Sequence, residues 1–130
     1  MHRRVKVYIA GAYSADNVLD VFNNMRIGMR AAVAVFDAGC SPWCPFWDFH
    51  LLLMRRDDQP VTIEALYDYS LAWLSVSDAV YVAPNPANGR SKGTVNEINK
   101  ATGLGIPVLD CLDKLKEWAV RHPKSAVAHE

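Results

Sequence analysis

Cysteine, glycine repeats, long apolar runs and an excess of charge are all scarce in this sequence, and each shortage excludes something. The 130 residues include three cysteines, Cys40, Cys44 and Cys111, an odd and sparse set unlike a disulfide framework. Cys40 and Cys44 stand four apart, but no second Cys/His pair lies at zinc-site spacing. The expectation is buried or incidental thiols in a reducing cytoplasm, with no metal and no organic cofactor. No apolar run reaches the roughly 18 residues that span a bilayer. Met1-His2-Arg3-Arg4 leads into a strand-like stretch and not into the apolar core of a signal peptide. Fourteen Lys and Arg balance fourteen Asp and Glu, whereas a binder of polymeric nucleic acid or of a membrane surface normally carries a positive excess. Gly11-Ala12-Tyr13-Ser14 lacks the repeated glycines of a dinucleotide fingerprint, and no P-loop pattern occurs, which speaks against NAD and ATP.

What is present is ordinary globular composition, 51% hydrophobic and 22% charged, in a chain long enough for one core. Val5 to Ala10 is a β-branched and aromatic run closed by Gly11 and predicts a first strand. Asp16 or Asn17 caps a long helix to about Ala38, with Val18, Phe22, Met25, Met29, Ala32, Val33 and Phe36 at three- and four-residue steps, and Gly39 follows it. Cys40 to Leu53 reads as a short strand and then a loop, because Pro42 and Pro45 prevent a regular interior strand. Trp43, Phe46, Trp47 and Phe49 crowd that loop, with Asp48 and His50 as its ionisable groups. Thr62 opens a helix to Ser75, Asp78 to Ala83 a strand, Thr94 to Thr102 a helix, Ile106 to Leu109 a strand, and Cys111 to Val120 a last helix. One domain over residues 1–120 with a polar tail over 121–130 follows. Alternating strands and helices predict a flavodoxin-like, Rossmann-like doubly wound α/β fold, with a mainly parallel sheet of four to five strands and helices on both faces. Such sheets bind ligands beyond the carboxyl ends of their strands, which selects Gly11 to Asn17, Trp43 to His50, and Pro84 to Glu97.

The last of these carries Arg90-Ser91-Lys92-Gly93-Thr94-Val95-Asn96-Glu97. A glycine-bearing loop entering a helix leaves backbone N–H groups unpaired, which attracts phosphate or carboxylate and favours ionised glutamate nearby. Glu97 can then act as a nucleophile toward a sugar carbon. The competing reading is a capping box, Thr94-x-x-Glu97, in which Glu97 only bonds the Thr94 backbone N–H. Arg90 and Lys92 flank Ser91 and favour a 5′-monophosphate ligand; alternatively both are solvated loop cations. Trp43, Trp47 or Phe49 either stack on a base or serve as core and subunit contacts. His50 reads as a satisfied loop histidine, Tyr13 as a ligand contact, and Asp78 as a provider of strand-start hydrogen bonds.

Val7-Tyr8-Ile9-Ala10-Gly11, Ser77-Asp78-Ala79-Val80, Ser91-x-Gly93-Thr94-x-x-Glu97-Ile98 and Gly105-Ile106-Pro107-Val108 together resemble the nucleoside 2-deoxyribosyltransferase superfamily, over about residues 5–109. More narrowly, the chain is similar to its small branch from phages and bacteria. The resemblance implies cleavage of an N-glycosidic bond to a purine or pyrimidine, by transfer or hydrolysis, through a covalent glycosyl-Glu97 intermediate with retained configuration. It assigns Tyr8 to orienting Glu97, lets substrate approach the backbone at Gly11 and Ala12, and gives Ser91 a 5′-phosphate to hold. A small nucleoside or nucleotide is the implied partner, and a homo-oligomer the implied assembly.

One position departs from the pattern. Active members carry an aspartate eight residues before the Asp78 equivalent, as proton donor to the leaving base, and here that residue is Ser70. A serine hydroxyl is no useful general acid. Asp68 lies on another side of the helix, so Asp48 or His50 is left as a substitute. The alternative functions are a noncatalytic nucleotide-sensing module, a phosphoribohydrolase resembling the cytokinin-activating group (whose preceding paired glycines are missing here), and an oligomeric scaffold.

Overall fold

Lys6–Ala10 (β1), Ser41–Trp43 (β2), Ala79–Val82 (β3) and Val108–Leu109 (β4) form one sheet in the computed structural model, which describes residues 2–122 and 124–125. The strand order is β2-β1-β3-β4 and each pairing is parallel. Parallel neighbours need crossover connections, here the helices α1 (Val18–Asp37), α2 (Phe49–Leu53), α3 (Ile63–Ser75) and α4 (Lys92–Gly103), with α5 (Leu112–Arg121) after β4. The fold is the expected doubly wound, flavodoxin-like one, with four strands. No described helix is long and apolar enough to cross a membrane.

The period of two along β1 sorts the core onto the two faces. Val7 and Ile9 pack with Met25, Ala32 and Val35 of α1 and Leu115 of α5. Tyr8 and Ala10 point the other way, toward Leu74 of α3 and Ala101 of α4. All four side chains of this stretch are fully buried. Tyr8 pairs with Trp43 on one side and with Val80 on the other, so β1 is central and its carboxyl end opens where strand order reverses.

The elements differ from expectation in ways that local chemistry explains. β2 accommodates Pro42 because it is the edge strand, where a missing N–H costs no ladder bond. The stretch expected as a loop after it is a 3-10 turn, Pro45–Asp48, followed by α2. Pro45 stands first in that turn, a position that needs no amide donor, and the Trp47 N–H reaches the Cys44 carbonyl at 3.0 Å. β4 is shorter than Ile106 to Leu109, since Gly105 (φ 74°) still belongs to the turn that ends α4. His2–Arg3 pairs antiparallel with Lys124–Ser125, so the tail contributes one short ribbon. Residues 123 and 126–130 of the expected tail lie outside the described residues.

α1 also corrects the expected apolar stripe. Asn17 caps it by accepting from the Asp20 N–H at 2.9 Å, and Gly39 (φ 92°) follows it. Its buried face is Asn24, Met25, Gly28, Ala31, Ala32 and Val35. Val18, Phe22, Val33 and Phe36 are exposed, as is Leu19. At about 100° per residue these five fall within a second face about 100° wide, so the three- and four-residue spacing runs across two apolar surfaces.

Candidate active site

Tyr8, deep in the sheet, meets Glu97 from the second turn of α4. The Tyr8 hydroxyl donates a hydrogen bond to Glu97 Oε2, and Ser70 of α3 acts on the same phenol. Burial above all, then the adjacent Glu97 charge, pushes the Tyr8 phenol far above its usual range, so it is a donor at every physiological pH. Burial likewise pushes Glu97 up to about 7, and the Tyr8 bond holds it back from rising further. The expected helix-terminus stabilisation of the carboxylate is therefore overturned: removal from water outweighs it, and near neutral pH the residue divides between its acid and its base form.

The capping-box reading fails on the same geometry. α4 starts at Lys92 with Ser91 as its N-cap, two residues earlier than expected. Ser91 Oγ accepts from the Thr94 N–H at 3.2 Å and from the Thr94 hydroxyl at 2.9 Å, so the donor assigned to Glu97 is already used. Glu97 is left to Tyr8 and to the cavity. The amides of Lys92 and Gly93 open the first turn and have no acceptor within the helix.

Glu97 lines a cavity of about 540 Å³ together with Ser70, Arg90, Ser91, Lys92, Gly93 and Thr94, a size suited to a small-molecule ligand. Arg90 and Lys92 are solvent-exposed at its mouth, whereas Thr94 is buried. Gly11, Tyr13, Ser14, Pro45, Phe46 and Asp48 line the same cavity and form a wall built from other loops. Phe46 and Tyr13 stack at 6.0 Å between centroids, 26° apart in plane. Asparagines join the loops behind them. Asn88 takes the Ala12 N–H at 2.9 Å and donates to the Ala83 carbonyl at 2.7 Å. Asn24 donates to the Tyr13 carbonyl at 3.1 Å and accepts from Asn85 at 2.8 Å. Two glycines permit this packing: a Cβ on Gly28 would lie 2.3 Å from the Phe46 ring, and one on Gly11 would lie 3.3 Å from Ala83 Cβ and 3.4 Å from Phe46 Cζ.

Asp48 is half-buried in this wall, and desolvation pushes its carboxyl up to about 6, held back by the Tyr69 hydroxyl. His50, weighed beside it from sequence, sits exposed on α2 and does not line the cavity. Asp68 is exposed and also outside it. Two residues expected at the ligand are elsewhere. Trp47 is 46% exposed and turns outward, because the tight turn aims Phe46 inward in its place. Ala12 is buried behind the wall, outside the cavity, with its amide bonded to Asn88. Trp43 stacks on Trp73 of α3 at 4.4 Å, which makes it a packing residue; the side chain of Phe49 lies outside the described residues.

Sequence reasoning missed Phe46 as the aromatic wall and Ile63, Leu66, Tyr67 and Leu71 as the α3 side of the cavity. Tyr67 donates to the Gly93 carbonyl at 3.2 Å and so joins α3 to the start of α4. The three- and four-residue spacing of Ile63, Leu66, Tyr67 and Leu71 marks one helix face, but spacing alone does not tell a core face from a cavity wall. Asp78 accepts from the Lys6 N–H at 2.9 Å, the strand-start bond expected of it.

No protein-family model matches the sequence, and a search of curated proteins by sequence finds no match. Solved structures with the same fold exist. A 2-deoxyribosyltransferase from the psychrotolerant bacterium Bacillus psychrosaccharolyticus aligns with a TM-score of 0.55 and 17% identity, over 80% of this chain and 69% of that one. A conserved protein from Enterococcus faecalis V583 aligns with a TM-score of 0.55 and 16% identity, over 92% of this chain and 76% of that one. At these identities the likeness is one of fold.

Proposed function

We propose that this protein cleaves the N-glycosidic bond of a (deoxy)nucleoside or its 5′-monophosphate, with Glu97 as nucleophile and a covalent glycosyl-Glu97 intermediate. The observation that carries the reading is Glu97 itself: it faces an open cavity, and its side-chain hydrogen bond comes from the Tyr8 hydroxyl. A carboxyl committed to capping would not be available to a substrate. Tyr8 keeps one oxygen of the pair fixed, leaving the other for C1′. The fold shared with a 2-deoxyribosyltransferase supports the same chemistry.

Charge at the mouth supports the nucleotide form of the substrate. The free amides of Lys92 and Gly93, the Ser91 hydroxyl and the side chains of Arg90 and Lys92 converge at one end of the cavity, a donor set suited to a 5′-phosphate. The stacked Phe46 and Tyr13 of the same cavity suit a base. Water or a second base then attacks C1′ and frees Glu97, giving hydrolysis or base exchange. The protein acts as a cytoplasmic homo-oligomer in this reading, with the exposed apolar face of α1 as a contact surface.

Free base released from a panel of nucleosides and 5′-monophosphates, separated by chromatography, tests the activity. Release that Glu97→Ala abolishes is the expected result. Nucleotide binding without release of any base would leave a sensing module, the reading that Ser70 in place of an acid favours.

A further inference from the structure

The cavity holds a second carboxyl group that the chemistry so far leaves unused. We infer that Asp48 is the general acid that protonates the leaving base, a role that rests on Glu97 acting as nucleophile in the same cavity. Asp48 and Glu97 come from different sides of the site, one from the turn after β2 and the other from α4. Phe46 lies two residues before Asp48, in the same turn and on the same wall. A base held against Phe46 and Tyr13 therefore has its edge beside Asp48 while the sugar lies toward Glu97 and the phosphate toward Ser91. Ser70, at the position where an acid was expected, lines the cavity and acts on the Tyr8 phenol, which makes it a positioning residue.

Glu97 titrates at about 7 and Asp48 at about 6, so the reactive form, with the proton on Asp48 and Glu97 ionised, is the minor of the two singly protonated forms. The Tyr69 hydroxyl from α3 acts on Asp48, and the Asp48 charge in turn reaches the Cys44 thiol just before the turn and Tyr8 of β1. Arg90 and Lys92 stand at the cavity mouth on the α4 side. Removal from water raises Asp48 far enough that a substantial fraction keeps its proton near pH 6. The Tyr69 hydroxyl faces Asp48 and holds its carboxyl back from rising further.

In the step itself an oxygen of the Glu97 carboxylate bonds to C1′ as the C1′–N bond breaks. The electron pair of that bond passes to the base, and the Asp48 proton moves to a base nitrogen, leaving Asp48 as a carboxylate. In the second half Asp48 takes a proton from the attacking water or incoming base as C1′ is released from Glu97.

The test uses the full chain with two substrates: a nucleotide that the wild type cleaves, and its analogue with an activated leaving group of the same base class. The activated base is an N7-methylated purine or a 5-fluorinated pyrimidine, whose departure needs little or no protonation. Asp48→Asn is expected to lower kcat/KM on the ordinary nucleotide about 10²- to 10⁴-fold, the range of general acid catalysis, and to retain most of the activity on the activated one. Glu97→Gln is expected to lose both. Retained activity on the activated substrate also shows that Asp48→Asn is folded. Tyr69→Phe removes a bond that favours ionised Asp48, so it shifts the alkaline limb of the kcat/KM profile to higher pH. Equal losses of Asp48→Asn on both substrates, or no loss on the ordinary one, overturn the acid assignment while the nucleophile stands. A wild type that releases neither base overturns the nucleophile reading, and the acid with it.

Discussion

Replacing Glu97 by glutamine removes the proposed nucleophile and, above neutral pH, stabilises the fold. The amide of Glu97→Gln still offers an oxygen to the Tyr8 hydroxyl, so the only large change is the loss of a charge held out of water. The folded carboxyl titrates at about 7 against an ordinary 4.5. Below pH 4.5 the residue is protonated in the folded and unfolded chains alike, and the substitution is neutral. Between 4.5 and 7 the folded chain keeps a proton that the unfolded chain has released, so wild-type stability falls as pH rises. Above 7 the full difference applies, about 3 kcal/mol at 1.36 kcal/mol per pH unit. Solvent reaching the carboxylate from the cavity screens part of it, leaving about 2 kcal/mol, or about 6–10 °C in Tm for a chain of this length. Thermal melts of both proteins from about pH 4 to about pH 9 measure the quantity. Asp48 titrates in both, so its contribution cancels in the difference. The expected outcome is coincident melts at the acid end, a gap opening through about pH 7, and no base release by the variant. A gap of the same size at both ends of the range, or a variant less stable at the alkaline end, would refute the idea that burial of this charge controls the site.

Other substitutions check the remaining parts of the site. Arg90→Ala with Lys92→Ala should weaken binding of a 5′-monophosphate at least tenfold and of the matching nucleoside little, by titration; equal losses would reject the phosphate role. Gly28→Ala should destabilise the protein by about 1–3 kcal/mol despite its better helix propensity, because the new methyl meets the Phe46 ring, and should raise KM for any base-bearing ligand as that ring moves. Asn88→Ala leaves the Ala12 amide and the Ala83 carbonyl without their partner and should cost about 1–3 kcal/mol in urea unfolding. Phe22→Asp with Val33→Asp, on the exposed face of α1, should convert the proposed homo-oligomer into monomer by light scattering while the circular dichroism of the fold is kept.

The architecture was legible because the signals that define it are local. Val7-Tyr8-Ile9-Ala10 alternates between the two buried faces of a central strand, Asn17 and Thr62 announce helix starts, and Gly39 marks a helix end. Where sequence reasoning went astray, tertiary context decided. Thr94-x-x-Glu97 satisfies the capping pattern, yet Ser91-x-x-Thr94 satisfies an N-cap equally well and sits three residues earlier. Only the packing of α4 against β1, which brings Tyr8 to Glu97, shows which pair caps and which is free. The apolar positions of α1 pose the same problem, since a helix with two apolar faces obeys three- and four-residue spacing whichever face is buried.

The aromatic cluster shows what pattern cannot reach. Trp43, Phe46, Trp47 and Phe49 are chemically close alternatives for a base wall. The choice of Phe46 depends on a glycine far earlier in the chain, because Gly28 leaves the space on α1 that the ring occupies. That same ring fixes the turn in which Asp48 follows two residues later. Gly28 is therefore coupled to Asp48 although the two residues belong to different elements. If Asp48 is the acid, Gly28→Ala should impair cleavage of an ordinary nucleotide more than of its activated analogue, in the pattern of Asp48→Asn but weaker. A uniform loss on both substrates would mean that the ring positions the base and leaves the acid untouched.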